Sequence, residues 1–288
     1  MAKTSLSDVA EQIQTKWSAL FMQELRESFL LPSLVSKAYE GEIRQQNDTV
    51  RISQINELQS DLKTVGTDAD SFETNKISTS YVDLKADKRA VSAIEFDDLV
   101  SIQSIVDPAS NPDVRRAMMH DVGRQINTYL YSLMVPSTSS PDHTINSTAA
   151  MSNTIMANMR EACAEAHWPK TSPWYHLLGP AYFSDFLSDN NLVADTYGFN
   201  DGARISGQVA QQRYGFMNYE DDSAPLTTSS IAFLPEALLY AAQTEPVFKL
   251  SDLHSQKKFG YVLSVDLVFG AKLGIDGSKK CYKVTSAA

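Results

Sequence analysis

Residues 41–90 read GEIRQQNDTV RISQINELQS DLKTVGTDAD SFETNKISTS YVDLKADKRA. Val50-Arg51-Ile52 alternates apolar and polar side chains like a half-buried strand, and Ile77 to Leu84 does so more loosely. Between them, Gln59–Asn75 is rich in Asp, Thr and Ser, and Gly66 marks a turn. The pattern predicts one long hairpin with an acidic tip around Asp68, Asp70 and Glu73. An isolated two-stranded hairpin is marginal in water, and so long an excursion from a compact domain needs a special explanation. Neighbouring copies of the same chain would supply the missing contacts.

The flanking segments support this reading. Asp8 and Glu11 form a capping-box pattern, and Val9, Ile13, Trp17, Leu20, Phe21, Leu25 and Phe29 then recur at helical spacing up to Pro32. This predicts an N-terminal arm, Ser7–Leu31, with a single apolar stripe. Val91–Ile105 fits either a short strand or a helical turn. Asn111-Pro112-Asp113 is the clearest helix start in the chain, with a capping Asn, Pro in the first turn and an acid favoured by the helix dipole. Val114, Met118, Val122, Ile126, Leu130 and Leu133 form its stripe, Arg115, Arg116, His120, Asp121, Arg124 and Asn127 line much of the rest, and Pro136 ends it. Such a helix would run about 34 Å at the standard rise, long enough to brace a thin subunit.

Ser137–Ser147 reads as a Ser/Thr/Pro loop and a domain boundary. Beyond it come a helix over Ala149–Ala166, a buried strand over Trp174–Leu178, a short helix over Pro180–Ser188 and a loop over Asn190–Ala203. Arg204–Tyr219 reads as strand, turn and strand around Gly207 and Gly215, and Pro235–Gln243 as a short amphipathic helix. Phe259–Phe269 and Lys280–Val284 read as closing strands, with Gly270, Gly274 and Gly277 serving tight turns.

Composition bounds the function. The 288 residues are 43% hydrophobic and 21% charged, which suits a globular chain with a sizeable core. The net charge of −10, with cations scattered, argues against tight backbone binding of nucleic acid. Lys257-Lys258 and Lys279-Lys280 are short pairs expected at solvated strand ends. An acidic container can still enclose nucleic acid without binding it tightly. Neither cysteine, Cys163 or Cys281, lies in a metal or redox spacing. No signal peptide opens the chain, and no apolar run is long enough to span a membrane.

Catalytic patterns are missing. There is no phosphate-binding Gly-rich loop, no dinucleotide fingerprint and no His-Glu-x-x-His, and Arg204 and Gln208 stand where a nucleophile elbow around Ser206 needs Gly. Asp68-x-Asp70 lacks the ligands that a calcium loop requires at the following positions. Cys163 and His167, four apart on a helix, are the nearest approach to a nucleophile and base, with nothing local to orient them. His176, amid Trp174, Tyr175 and Leu177, is expected in a core or interface. No catalytic, cofactor-binding or metal-binding residue is assigned, and the expectation is a non-enzyme without cofactor.

The order of these features resembles the major capsid (coat) protein of tailed double-stranded-DNA bacteriophages, the Hong Kong 97-type coat fold, an α+β class. The arm and hairpin resemble that family's N-arm (1–40) and extended β-hairpin loop (41–90). Asn111–Val135 resembles the long spine helix of its peripheral domain (91–140 and 245–288). The segments Ala149–Ala166, Trp174–Ser188, Ile205-Ser206-Gly207 through Tyr214-Gly215-Phe216-Met217, and Ile231-Ala232-Phe233 through Ala241-Ala242-Gln243 resemble the axial domain (141–244), ending in a strand and helix. Phe259-Gly260-Tyr261-Val262 and Phe269-Gly270-Ala271-Lys272-Leu273 resemble the closing strands.

The resemblance implies a homo-oligomer whose pentamers and hexamers build an icosahedral shell around packaged double-stranded DNA, held without sequence-specific binding and without a membrane. It implies a portal and, since no long charged helical segment precedes Ser7, either a separate scaffolding protein or prior removal of such a segment. The setting would be the virion, assembled in the host bacterial cytoplasm. An encapsulin-like compartment shares the fold and is the alternative reading. Arg51, Lys63, Lys85, Lys88 and Arg89, set against Asp61, Asp68, Asp70 and Asp97, are expected to set register between neighbours.

Overall fold

In the computed structural model, residues 29–43, 49–58, 62, 74, 76–97, 111–137, 144–147, 151–188, 212–222, 229–243, 246–256 and 258–286 are described. The arm stripe up to Leu25, the acidic tip, the loop over Asn190–Ala203 and the strand around Gly207 lie outside them.

The long helix α2 follows a four-residue turn, α1 (Leu31–Leu34), and three strands, β1 (Thr49–Ile55), β2 (Thr79–Lys85) and β3 (Lys88–Phe96). Pro32 lies in the first turn of α1, where its missing N–H is no loss. Helix α2 spans Pro112–Ser137. Asn111 Oδ1 accepts the Asp113 backbone N–H at 2.9 Å, and Asp113 pairs with Arg116 at 3.0 Å, so the predicted cap forms. At 26 residues the helix is about 39 Å long. Met118, Val122, Ile126 and Leu130 are buried along one stripe, joined by Tyr131 and Met134. Asn127 lies in this buried zone too, and is not a surface residue.

The stripe packs on a four-stranded sheet. Strand β11 (Tyr261–Leu273) is its backbone, with β3 on one side and β10 (Val247–Asp252) on the other, all antiparallel. Leu263, Val265, Leu267 and Phe269 alternate inward toward α2, which is the period-2 pattern of a half-buried strand. The far end of β11 pairs with β9 (Leu238–Ala242). The helix expected over Pro235–Gln243 is therefore absent. Only Pro235–Ala237 makes a 3₁₀ turn, and the chain then runs extended. Leu238 through Ala241 are buried on both faces, so there is no polar side for an amphipathic helix to present. Gly270 sits inside β11 and serves no turn. A Cβ there would lie 2.3 Å from the Lys85 carbonyl oxygen.

A second, six-stranded sheet runs β4 (Thr144–Ser147), β12 (Cys281–Ser286), β8 (Ser229–Phe233), β5 (Trp174–Leu178), β7 (Phe216–Glu220) and β6 (Gln212–Arg213). Strand β4 lies inside the predicted Ser137–Ser147 loop, and β12 joins this sheet instead of following β11 into the first. Alternation splits the sheet between two cores. Leu177, Ile231, Phe233 and Cys281 face α2. Trp174, Leu178, Ala232, Tyr282 and Val284 face α3 (Asn153–Glu165) and α4 (Pro180–Ser188) through Met156, Met159 and Phe186.

Candidate assembly surfaces

Strands β1 and β2 form a two-stranded sheet of their own, in register from Thr49↔Lys85 to Ile55↔Thr79. Its two ends differ. At the root, Leu84 is fully buried with Ile43, Leu239 and Ala241, and Val50 and Ile52 pack against them. Toward the outer end, Ile55, Leu58, Ile77 and Tyr81 are 62%, 52%, 63% and 59% exposed. Monomers scatter single apolar residues on their surface, but a run of them along one arm makes it a candidate interaction surface.

The arm is stiffened from within. Arg51 donates to both Asp83 carboxylate oxygens at 2.7 and 2.9 Å and lies 4.4 Å over the Tyr81 ring. The Arg51 guanidinium holds the Asp83 carboxyl below its ordinary value. Asn56 donates to the Ser78 hydroxyl at 3.1 Å and accepts from Ser80 at 2.8 Å. Several of the charges expected to act between neighbours have partners within the subunit. Arg51 is occupied across its own hairpin, Lys88 sits 3.8 Å from its neighbour Asp87, and Arg89 is 3.5 Å from Asp266. Lys63, Asp61, Asp68 and Asp70 lie outside the described residues.

A second exposed region follows β10, which pairs only with β11 among the described residues. Val247, Leu250 and nearby Phe259 are exposed, flanked by the Lys258–Glu95 pair at 3.1 Å. An edge strand presents unpaired backbone groups and needs cover or charge to stay solitary.

Several polar and nucleophilic groups lie in the interior. His176 is fully buried, and its Nδ1 lies 2.8 Å from Asn218 Oδ1. Burial lowers its pKa to about 4, so the ring is neutral. Tyr131 donates to the buried Asp221 carboxylate. Cys163 is buried and its thiol is pushed far up by desolvation, while Cys281 is pushed up to about 12 for the same reason. His167 follows the end of α3 at φ +57°, and no hydrogen bond joins it to Cys163. Among the described residues no group of three or more His, Cys, Asp and Glu could hold a metal, and no helix is long and apolar enough to cross a membrane. One feature escaped the sequence reading. Arg160 lies 3.9 Å over the Trp174 ring and lines a small cavity. Only the cluster Trp168, Lys170 and Trp174 hinted at it.

No family model matches the chain, and no curated protein matches it by sequence. Solved structures do match. A chain from the capsid structure of the cyanophage P-SCSP1u superposes with a TM-score of 0.74 at 10% identity, covering 97% of this chain and 94% of that one. A chain from Microbacterium phage Oxtober96 gives 0.70 at 14% identity, covering 99% of each. A chain from Mycobacterium phage Che8 gives 0.69 at 19% identity, covering 95% of this chain and 97% of that one. The protein thus has a phage capsid fold, of the α+β class, over nearly its whole length.

Proposed function

We propose that the chain is the major capsid protein of a tailed double-stranded-DNA bacteriophage, with a structural and not a catalytic role. The observation that carries this reading is the likeness to a capsid chain across 97% of this chain and 94% of that one. A match confined to one domain would leave room for another use of the fold. The exposed outer half of the β1–β2 arm supports it independently, since those apolar side chains stay largely uncovered among the described residues.

In this reading, copies form pentamers and hexamers of an icosahedral shell, assembled in the host cytoplasm with a scaffolding protein and a portal. The packaged DNA is enclosed without base-specific contacts. Residues 1–40 act as the N-arm and 41–90 as the extended loop rooted at Leu84. The α2 spine and the β3–β10–β11 sheet, contributed by 91–140 and 245–288, form the peripheral domain. The region 141–244 forms most of the axial domain, with β9 exchanged to the peripheral sheet and β12 to the axial sheet. Each arm contact is modest, at about 25 cal/mol per Å² buried. Repetition in closed symmetry makes the shell stable.

The test is to delete residues 58–76 from the full chain. The subunit is expected to melt cooperatively as before, because Leu84 and the root contacts remain, while electron micrographs show no shells. Unfolding of the subunit, or normal shells, would count against the proposal.

A further inference from the structure

The cavity beside Trp174 has the chemistry of an anion site. It measures about 150 Å³ and is lined by Arg160, Lys170, Ser172, Trp174, Gly215 and Met217, along with Pro173. Two cations and a hydroxyl converge there, and among the described residues no carboxylate lines it. The Arg160 Nη1 is buried and finds no hydrogen-bond partner. A buried donor left unsatisfied is costly, more so when charged.

Local structure explains how the guanidinium is presented. Arg160 lies on α3, and stacking on the Trp174 face sets its plane. A stacked guanidinium keeps its N–H edges free for two parallel bonds to a carboxylate. Gly215, at φ +83°, makes the β6–β7 turn that borders the cavity, and a Cβ there would be in ordinary contact with Arg160 Cζ at 3.6 Å. Lys170, exposed on the loop before β5, adds a second charge at the mouth.

We infer that this cavity receives an Asp or Glu side chain from another copy of the chain. The inference rests on the shell reading above. Charge complementarity favours a sister copy, since the chain carries 35 acids against 25 Lys and Arg. The cavity is also too small for more than the end of a side chain or one free anion. A carboxylate seated between Arg160 and Lys170 would be desolvated and hydrogen-bonded, unlike a rim pair, and would fix the orientation of one subunit against the next.

The experiment uses full-length chain. Particles are assembled from an equal mixture of unlabelled and heavy-isotope-labelled copies and treated with a water-soluble carbodiimide, which joins Lys to carboxylates in contact. Mass spectrometry is expected to find Lys170 linked to an Asp or Glu of the opposite isotope. Lys170→Glu, at an exposed position, is expected to keep the melting temperature and to need about tenfold more protein to assemble. Two results overturn the inference while leaving the shell reading intact. They are linkage of Lys170 only within its own copy or not at all, and assembly of Lys170→Glu at the unaltered concentration; if those variant shells also fail to bind added double-stranded DNA that the unaltered shells bind, the cavity holds a phosphate. Failure of the unaltered chain to form any particle removes the shell reading and this inference with it.

Discussion

Replacing Ile55 and Ile77 together by Thr should separate assembly from folding. The two are 62% and 63% exposed, so the subunit gains little from them. Each change deletes two carbons. At about 0.8 kcal/mol per buried CH₂ and with some three-fifths of each side chain available for cover, the apolar loss is about 1 kcal/mol per residue. A hydroxyl left unpaired in the contact adds up to about 1 kcal/mol more, at the low end for such groups. The arm contact then weakens by about 2–4 kcal/mol, or about 30-fold to about a thousandfold. Thr keeps the β-branch, so strand preference is preserved at Ile55. The melting temperature should move by no more than about 2 °C, as for other surface changes of about 0.5 kcal/mol. Sedimentation velocity across a concentration series, with circular dichroism on the same samples, measures both. Shells at the unaltered concentration would refute the arm as an interface. A fall of more than about 8 °C, corresponding to several kcal/mol, would place these residues in the core.

Gly270→Ala should destabilise the subunit by at least about 2 kcal/mol in urea unfolding, since a Cβ 2.3 Å from the Lys85 carbonyl oxygen forces backbone apart. An unchanged midpoint would show that the root can slide. Acid should weaken the subunit through His176. Its pKa of about 4 in the folded state lies below the ordinary value of 6.5, so the unfolded chain binds the extra proton between these values. Stability then rises with pH across that window by about 3 kcal/mol, and is lost on acidification. The loss between pH 7 and pH 4.5, read from urea midpoints, should be smaller in His176→Gln, and equal losses would sink the assignment. Cys163 should react with a thiol reagent at neutral pH only after denaturant is added, because burial holds it as the thiol. Rapid labelling of the native protein would reopen a nucleophilic role.

Local signals were legible wherever one short stretch decided the outcome. Asn111-Pro112-Asp113 announced its helix, Trp174–Leu178 its buried strand, and Val50-Arg51-Ile52 with Ile77–Leu84 the two strands of the hairpin, though not their register. Long-range pairing was not legible. Leu238–Ala242 is apolar on every face, so neither the helical nor the strand period stands out, and its partner on β11 lies about 30 residues away. Strand β12 reads as a strand, but nothing near it says that it joins β4 and β8. The charged residues of the arm were visible, yet whether Arg51 serves a neighbour or Asp83 depends on register, which pairs residues 32 apart. The Arg160 site needs three elements brought together, and the spacing of its residues carries no periodic signal.

The close backbone approach at Gly270 has a mechanical consequence. With no side chain between Gly270 and Lys85, the base of the hairpin is seated carbonyl against strand, and the buried Leu84 locks it from the other face. A limb on a slack tether would forfeit its swing on docking, at a cost that subtracts from every contact. This limb leaves the body with its bearing already set. Small patches such as Ile55 and Ile77 can then suffice, and the curvature of any lattice they build is dictated by the lone subunit.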